Sequence, residues 1–291
     1  MKVKTAQKTI KEIIADGERF LASKGNENAR GEAETLIAFG LGLARVDLYL
    51  SFDKPLTESE LQKLRGYFKS RVQGKPLQYI TGESIFRYLK LKVNDKTFIP
   101  RPETELITEL VLNIIKKGDK VLELGTGSGA IALSITKEGG VKVDATDVSK
   151  DALEMAKANG KLNEVDGVKW LESNWYENIS NKYNVIVSNP PYVSLEEYNS
   201  LEKEINEYEP EIGVTDNNNG FKCLKEIISK APEFLEDKGH LILEIGYEQQ
   251  EGVDKLLKKS GFIDIRFEKD LTGKIRFAVA SFEGTGASGT E

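Results

Sequence analysis

The tetrapeptide Asn189-Pro190-Pro191-Tyr192 carries groups that can hold a planar –NH₂ group. The side-chain oxygen of Asn189 can accept a hydrogen bond from one N–H, and the carbonyl of Pro190 can accept one from the other. The two prolines restrict the backbone and would keep these acceptors in place, and the ring of Tyr192 offers a flat face to an amide or a base. Taken alone, the same four residues also fit a turn that ends a strand.

Two acceptors on one –NH₂ group favour transfer of a methyl group to its nitrogen. An amide nitrogen is a poor nucleophile because its lone pair is delocalised. Hydrogen bonds from both of its protons direct that lone pair at an incoming methyl group, so catalysis rests on positioning and electrostatics. This chemistry needs neither His240 nor Cys223, the single histidine and the single cysteine of the chain.

A glycine-rich turn, VLELGTGSGA from Val121 to Ala130, joins an apolar strand to the start of a helix. Gly125 and Gly127 let the backbone turn tightly and admit a ligand without interference from a Cβ atom. Asp147 ends the second strand, 22 residues after Gly125, where a carboxylate can bind both hydroxyl groups of a ribose. The glycines also satisfy the pattern of dinucleotide-binding enzymes, so the turn by itself leaves a dehydrogenase open.

Glu123 favours S-adenosyl-L-methionine over a dinucleotide. A carboxylate directly before the turn faces the position of a cationic amino group, which S-adenosylmethionine has and a pyrophosphate lacks. After the third strand, Asn174 would bind the edge of the adenine and Trp175 would cover its face, although Trp175 also fits an ordinary core position. These residues predict S-adenosyl-L-methionine as the cofactor, with S-adenosyl-L-homocysteine as its product.

Two further segments have the composition of loops that border a substrate. Between Phe98 and Glu105, two prolines hold Arg101 in a stiff loop and Pro102 suits the first turn of a helix, so the loop would line a substrate cleft or act as a rigid linker. The segment Val193–Asn219 holds seven glutamates between residues 196 and 211. A long acidic segment beside a site predicts a lid or a protein-binding surface and disfavours a nucleic-acid substrate, although a solvated charged face fits it equally.

The elements that position these residues alternate between strands and helices from Lys120 onward. Strands are predicted at Val121–Leu124, Val141–Thr146, Val168–Leu171, Val185–Ser188, His240–Ile245, Ile263–Glu268 and Ile275–Phe282. Helices are predicted at Ala130–Thr136, Ser149–Leu162, Phe221–Leu235 and Glu248–Lys259. This alternation predicts an α/β fold with a Rossmann-like class I methyltransferase sheet, mostly parallel with an antiparallel C-terminal strand.

The N-terminal part has helical periodicity instead. We expect a small all-helical bundle over residues 1–75, with a capping box at Thr57–Glu60. Alternating and β-branched residues in Pro76–Gly82 and Ile85–Phe98 predict a β-hairpin linker over 76–98. The methyltransferase domain would cover 99–282, and the small polar residues 283–291 would form a flexible tail.

Composition excludes several classes of protein. With 291 residues, one cysteine and one histidine, the chain has too few ligands for a structural zinc site, so no metal is expected. The formal net charge is −6, although residues 1–85 carry +3. Because binding to phosphates requires a basic surface, we do not expect direct binding of nucleic acid. Neither a transmembrane segment nor a signal peptide is evident, so we expect a cytoplasmic protein, and we expect a monomer.

Taken together, these motifs resemble the HemK/PrmC family of protein-(glutamine-N5) methyltransferases. The resemblance runs from about residue 5 to residue 282. It rests on the helical N-terminal domain, the IPRPETE segment from Ile99 to Glu105, the glycine turn and the Asn189–Tyr192 tetrapeptide. It also includes PLQYITG from Pro76, Glu209-Pro210 and DLTG from Asp270.

The resemblance implies methylation of the glutamine in the Gly-Gly-Gln loop of class 1 peptide chain release factors, a modification that modulates translation termination. The bundle would help to dock the factor. The cofactor-binding residues that it implies are Gly125, Thr126, Gly127, Ser128, Gly129, Asp147, Trp175 and Asn189, and the residue chemistry above adds Glu123 and Asn174. Catalysis is assigned to Asn189, Pro190 and Tyr192, and substrate binding to these residues with Pro191, Phe98 and Arg101.

Three rival interpretations stay open from the sequence. A nucleic-acid adenine or cytosine amino-methyltransferase shares the Asn-Pro-Pro-Tyr tetrapeptide. A non-catalytic cofactor-binding adaptor would explain the helical domain but not the intact tetrapeptide. A nicotinamide dehydrogenase fits least well, because no acid–base pair for hydride transfer is apparent.

Overall fold

A computed structural model describes residues 8–284. The chain divides into two compact units, with the division between Gly82 and Glu83. Within the described range, none of the helices has the length and apolar character needed to cross a lipid bilayer. The predicted domain ranges 1–75, 76–98, 99–282 and 283–291 stay a prediction, and most of the predicted tail lies outside the described residues.

The first unit is helical. Its helices are α1 (Ile10–Ala22), α2 (Ala29–Leu41), α3 (Arg45–Leu50), α4 (Glu58–Val72) and α5 (Leu77–Thr81). The predicted capping box is present, because the Thr57 hydroxyl accepts from the Glu60 N–H at 3.3 Å and the Glu60 carboxylate accepts from the Thr57 N–H at 2.7 Å. Apolar stripes pack together in one core, which includes Ile10, Leu36, Ile37, Leu48 and Leu64.

The predicted strand at Pro76–Gly82 is wrong, because this segment forms helix α5. The Pro76 carbonyl accepts hydrogen bonds from the Tyr79 and Ile80 N–H groups, each at 3.1 Å, and Gly82 ends the turn with φ of +73°. Over five residues, alternation of apolar side chains does not distinguish a strand from one helical turn. A β-hairpin does follow, but it is shorter than predicted and consists of β1 (Glu83–Phe86) and β2 (Leu89–Lys92).

The second unit contains a seven-stranded sheet. Its strands are β3 (Lys120–Leu124), β4 (Lys142–Asp147), β5 (Val168–Glu172), β6 (Tyr183–Ser188), β7 (Leu235–Glu244), β8 (Phe262–Lys269) and β9 (Ile275–Phe282). They lie in the order β5-β4-β3-β6-β7-β9-β8. The first five are parallel, and β9 lies antiparallel between β7 and β8. The predicted Rossmann-like sheet with an antiparallel last strand is therefore confirmed.

Helices connect these strands. They are α6 (Glu105–Leu112), α7 (Ala130–Gly139), α8 (Lys150–Leu162), α9 (Leu195–Tyr198), α10 (Lys203–Tyr208), α11 (Lys222–Phe234) and α12 (Gln250–Lys259). Neighbouring strand residues point to opposite faces, so the sheet separates two cores. Val121 and Ile131 belong to one core, and Leu122 and Ile228 belong to the other.

Candidate active site

The carboxyl ends of β3, β4 and β6 surround a cavity of about 420 Å³. This is the edge of a parallel sheet where ligands bind. The predicted site residues that line the cavity are Phe98, Glu123, Gly125, Thr126, Gly127, Ser128, Asp147, Asn174, Trp175, Asn189 and Pro191. Gly129, Pro190, Tyr192 and Arg101 lie outside this lining. Their predicted roles stay predictions.

The glycine turn brings three left-handed residues together. Gly125, Gly127 and Gly129 have φ of +73°, +55° and +84°, a conformation that L side chains rarely adopt. At Gly129 a Cβ atom would also stand 3.0 Å from the Ala156 Cβ. The Thr126 N–H donates to the Thr146 carbonyl at 2.8 Å, which holds the turn against the end of β4.

Glu123 places a carboxylate in the cavity wall. The side chain is buried, and its Oε2 atom accepts from the Thr126 hydroxyl at 2.6 Å and from the Ala132 N–H at 3.0 Å. Burial raises the pKa of Glu123 to about 8, and the two hydrogen bonds act in the opposite direction. A cation at this position would favour the ionised carboxylate, as the sequence prediction requires.

Asp147 is anchored by backbone groups at both oxygens. Its Oδ2 accepts from the Gly127 N–H at 2.8 Å, and its Oδ1 accepts from the Ser149 N–H at 2.9 Å. Burial raises the pKa of Asp147, whereas these hydrogen bonds lower it. Each carboxylate oxygen keeps further acceptor capacity, so the fixed side chain can still accept from hydroxyl groups of a ligand.

The segment after β5 contributes an aromatic wall. Trp175 has φ of +48°, and its carbonyl accepts from the Ser173 hydroxyl at 3.0 Å. Its Cζ3 atom would lie 3.6 Å from a Cβ at Gly125, so the ring borders the glycine turn. Trp175 also packs on the second core, as an ordinary core position would, and its contact with an adenine stays a prediction. Asn174 is exposed and donates to the Glu177 carboxylate at 2.9 Å.

Asn189 is oriented by Thr104. The Asn189 Nδ2 atom donates to the Thr104 hydroxyl oxygen at 3.3 Å, and Thr104 itself is buried at the end of a 3-10 turn, Pro102–Thr104. The Ser188 hydroxyl donates to the Leu124 carbonyl at 2.7 Å, which ties the end of β6 to the end of β3. Because the amide nitrogen is engaged by Thr104, the Oδ1 atom remains as the acceptor of this side chain. Thr104 lies within the IPRPETE segment, but neither its residue type nor its spacing there predicts this contact.

Tyr192 is held at both ends. Its hydroxyl donates to the Glu244 Oε1 atom at 3.1 Å, and its carbonyl accepts from the Gln249 Nε2 atom at 3.0 Å. Gln249 also donates to the Gly220 carbonyl at 3.0 Å. Burial raises the pKa of Glu244 to about 7, while the hydroxyl groups of Thr104 and Tyr192 oppose this rise. Neither Glu244 nor Gln249 was singled out from the sequence.

Phe98 lines the cavity, and Arg101 supports it from outside the lining. The Arg101 guanidinium lies 4.6 Å from the centroid of the Phe98 ring and forms an ion pair with Glu209. The other Glu209 oxygen accepts from the Ile99 N–H at 3.2 Å. Burial raises the pKa of Glu209, and the charge of Arg101 opposes that rise. Glu209 belongs to the acidic segment, so this pair joins the proline-rich loop to that segment.

The acidic segment also contributes to the cavity wall. Its Pro210, Ile212, Gly213, Thr215, Asp216 and Asn217 line the cavity. Asp216 is buried and accepts from the N–H groups of Asn218, Gly220 and Lys222 at 2.7–2.9 Å, which fixes the chain before α11. The segment is therefore a wall of the site over part of its length, in addition to a charged surface.

Two family models match this chain. The model described as the PrmC N-terminal domain matches residues 12–82, and the model described as the methyltransferase small domain matches residues 102–207. Among solved structures, a methyltransferase from Pyrococcus furiosus is similar, with a TM-score of 0.52 and 21% identity over 67% of this chain and 89% of that one. At that identity the likeness shows the fold alone.

Curated relatives are closer in sequence. The release factor glutamine methyltransferase of Buchnera aphidicola subsp. Schizaphis graminum is 38% identical over 86% of this chain and 91% of its own length. That of Geobacter sulfurreducens is 36% identical over 91% and 94%, respectively. These relatives confirm the resemblance drawn from the motifs. With such identity over most of its length, the chain belongs to the release factor glutamine methyltransferase family.

Proposed function

We propose that this protein transfers a methyl group from S-adenosyl-L-methionine to the side-chain amide nitrogen of a glutamine in a class 1 peptide chain release factor. The relatives carry the name release factor glutamine methyltransferase, and the motifs of this chain resemble the same family. The observation that carries the proposal is the Asn189–Thr104 hydrogen bond, which leaves Asn189 Oδ1 as an acceptor at the cavity.

The residues around the cavity fit the cofactor. The chain is an S-adenosylmethionine-dependent methyltransferase, as its family and its methyltransferase domain indicate. The buried Glu123 carboxylate suits the amino group, the anchored Asp147 carboxylate suits the ribose hydroxyls, and Trp175 suits the adenine face. When bound, S-adenosylmethionine supplies an electrophilic methyl group on a sulfonium centre.

The protein's own part in the reaction is to bind and orient the glutamine amide. Asn189 Oδ1 accepts one amide proton, and the Pro190 carbonyl is assigned the other. Both acceptors form hydrogen bonds with the N–H groups and remove no proton before the attack. They orient the nitrogen so that its lone pair points at the methyl group. No general base is needed for the attack itself, and the nitrogen gives up one of its two protons to solvent once its bond to the methyl group has formed.

Phe98 and the acidic segment would form the outer wall against the substrate. Phe98 lines the cavity and is fixed by Arg101, while six residues after Glu209 complete the wall. The exposed glutamates of this segment suit a basic protein loop and repel phosphates, which disfavours a nucleic-acid substrate.

The helical unit is the proposed docking surface for the release factor. On α3, Val46 and Leu50 expose 66% and 81% of their surfaces, and their spacing of four places them on one helix face. Exposed apolar residues of this kind mark protein-binding surfaces. The variant Val46→Asp/Leu50→Asp should raise the KM for the release factor without changing kcat. An unchanged KM contradicts this docking role.

Transfer of a labelled methyl group from S-adenosylmethionine to a purified class 1 release factor tests the proposed function. Mass spectrometry should locate one added methyl on the glutamine of the Gly-Gly-Gln loop, and a Gln→Ala release factor should accept none. Asn189→Ala should abolish transfer while the melting temperature stays close to that of the wild type. Labelling of tRNA, ribosomal RNA or duplex DNA instead would replace the proposed substrate with a nucleic acid.

A further inference from the structure

A buried carboxylate lies behind the Asn189–Tyr192 tetrapeptide and has no part in the reaction described above. Glu244 is the last residue of β7 and is 3% exposed. Its Oε1 atom accepts from the Tyr192 hydroxyl at 3.1 Å, whereas its Oε2 atom has no hydrogen-bond partner among residues 8–284. Burying a carboxylate with an unsatisfied oxygen is costly, so a purely structural role would be served better by glutamine or leucine.

The surroundings of Glu244 connect it to the site. The charged and titratable groups facing it are Tyr192, Arg276 on β9 and Glu103 in the 3-10 turn. Arg276 is itself paired with Asp270, at 3.3 Å between Nε and Oδ2, so it is not a dedicated partner of Glu244. Two hydroxyl groups donate to Glu244: that of Tyr192, at 3.1 Å from Oε1, and that of Thr104, which also accepts from the Asn189 amide.

The same tetrapeptide is fixed at two other points. Gln249 donates to the Tyr192 carbonyl, and Thr104 accepts from the Asn189 amide. Without Glu244, the Tyr192 hydroxyl would lose the acceptor that lies 3.1 Å away, and the ring could change rotamer inside the wall that carries the acceptors. A displacement of about 1 Å in such a site can lower a rate by about a hundredfold.

We propose that Glu244 is a positioning residue for methyl transfer: its buried carboxylate fixes Tyr192 and so holds the Asn189–Tyr192 segment in the geometry that binds the substrate amide. The inference deepens the proposed function and rests on it. Glu244 does not touch the cofactor cavity, so it acts on the rate of transfer and not on cofactor affinity.

Kinetics of four variants test the proposal with the intact protein. Glu244→Leu should lower kcat about a hundredfold and Glu244→Gln about tenfold, while the dissociation constant for S-adenosylmethionine stays within twofold of the wild type. Tyr192→Phe should cause a loss similar to that of Glu244→Gln. Because Glu244 acts through Tyr192, the double variant Tyr192→Phe/Glu244→Gln should be no slower than the slower single variant.

A matched control separates positioning from general loss of stability. Ile242→Val removes one methylene from a fully buried residue of the same strand, two positions before Glu244, and should leave kcat within twofold. If Glu244→Leu keeps the wild-type kcat, or if the losses of Tyr192→Phe and Glu244→Gln multiply, the proposal is overturned.

A second readout does not depend on methyl transfer. In protein labelled with ¹³C at the tyrosine Cζ atom, the Tyr192 signal is identified by its loss in Tyr192→Phe. It should shift or broaden in Glu244→Gln and stay in place in Ile242→Val; an unmoved signal in Glu244→Gln overturns the proposal. If the wild-type protein methylates no release factor, the proposed function is refuted. The spectrum then still tests whether Glu244 and Tyr192 are coupled.

Discussion

The hydroxyl of Thr126 donates a hydrogen bond to the buried carboxylate of Glu123 at 2.6 Å, and the Ala132 N–H donates to the same oxygen at 3.0 Å. Both donors follow Glu123 closely in sequence and lie in the glycine turn or the first turn of α7. The carboxylate is thereby fixed with one oxygen engaged. Its raised pKa, about 8, means that the free protein holds a proton there at neutral pH.

Binding of S-adenosylmethionine should therefore release a proton. At pH 7 the ammonium group of the cofactor favours the ionised carboxylate, so Glu123 should lose its proton on binding. Calorimetry in two buffers of different ionisation enthalpy gives the number of protons released for each cofactor bound. This number should be larger by close to one for the wild type than for Glu123→Gln. Equal values for the two proteins contradict the assigned contact.

Glu123 should also reduce the stability of the free protein as the pH rises. The unfolded state ionises near pH 4.5, whereas the folded state keeps the proton up to about pH 8, so stability falls between these values. Glu123→Gln keeps an oxygen for Thr126 and Ala132 but cannot ionise. Its melting temperature should equal that of the wild type near pH 4.5 and exceed it by several degrees at pH 8. If the difference in melting temperature between the two proteins does not change with pH, ionisation of Glu123 is not its cause.

The local parts of the site could be predicted from the sequence because neighbouring residues form them. The run from Val121 to Ala130 contains an apolar strand, three glycines that accept positive φ and a helix start, so strand, turn and helix follow from composition. Asp147 ends β4 and Asn189 directly follows β6, the two strands on either side of β3, and parallel strands bring their carboxyl ends to one edge.

The supporting contacts could not be predicted, because they join residues far apart in the chain. Thr104 and Asn189 are 85 positions apart, and Arg101 and Glu209 are 108 apart. No periodicity or spacing links such pairs, and only packing of the whole unit brings them together. The error at Pro76–Gly82 has a different origin, since the segment is too short for its period to be measured.

Thr104 should be required for the orientation of Asn189. Thr104→Val keeps the shape of the side chain but removes the oxygen that accepts from the amide, so the amide can rotate and direct its –NH₂ at the substrate. The value of a neutral hydrogen bond, about 1 kcal/mol, predicts a fall in kcat of about fivefold to tenfold. Thr104→Ser retains the oxygen and should keep most of the activity. Equal kcat for the valine and serine variants would contradict this role.

Gly129 should tolerate alanine less well than Gly140, the glycine at the other end of α7. Both have positive φ, so both variants carry a backbone cost of about 1 kcal/mol. Only at Gly129 would the new Cβ approach Ala156 and Trp170, at 3.0 and 3.1 Å, whereas nothing lies within 4 Å at Gly140. Gly129→Ala should be less stable than Gly140→Ala by about 1–3 kcal/mol and bind S-adenosylmethionine more weakly. Equal melting temperatures would exclude the steric cause.

Arg101 should stabilise the buried Glu209 and, with it, the wall that carries Phe98. Arg101→Met leaves a carboxyl group that is 1% exposed without its ion-pair partner. Breaking a buried pair lowers the free energy of unfolding by about 3–5 kcal/mol. Because Arg101 is itself one-third exposed, we expect a loss of about 2 kcal/mol, which corresponds to a fall of about 4–8 °C in melting temperature. Arg65→Met, which breaks the solvent-exposed pair with Glu58, should shift the melting temperature by less than about 2 °C. Adding Glu209→Gln to Arg101→Met removes the unpaired charge and should restore much of the lost melting temperature. If the melting temperature does not recover, the loss comes from the contact between Arg101 and Phe98 instead.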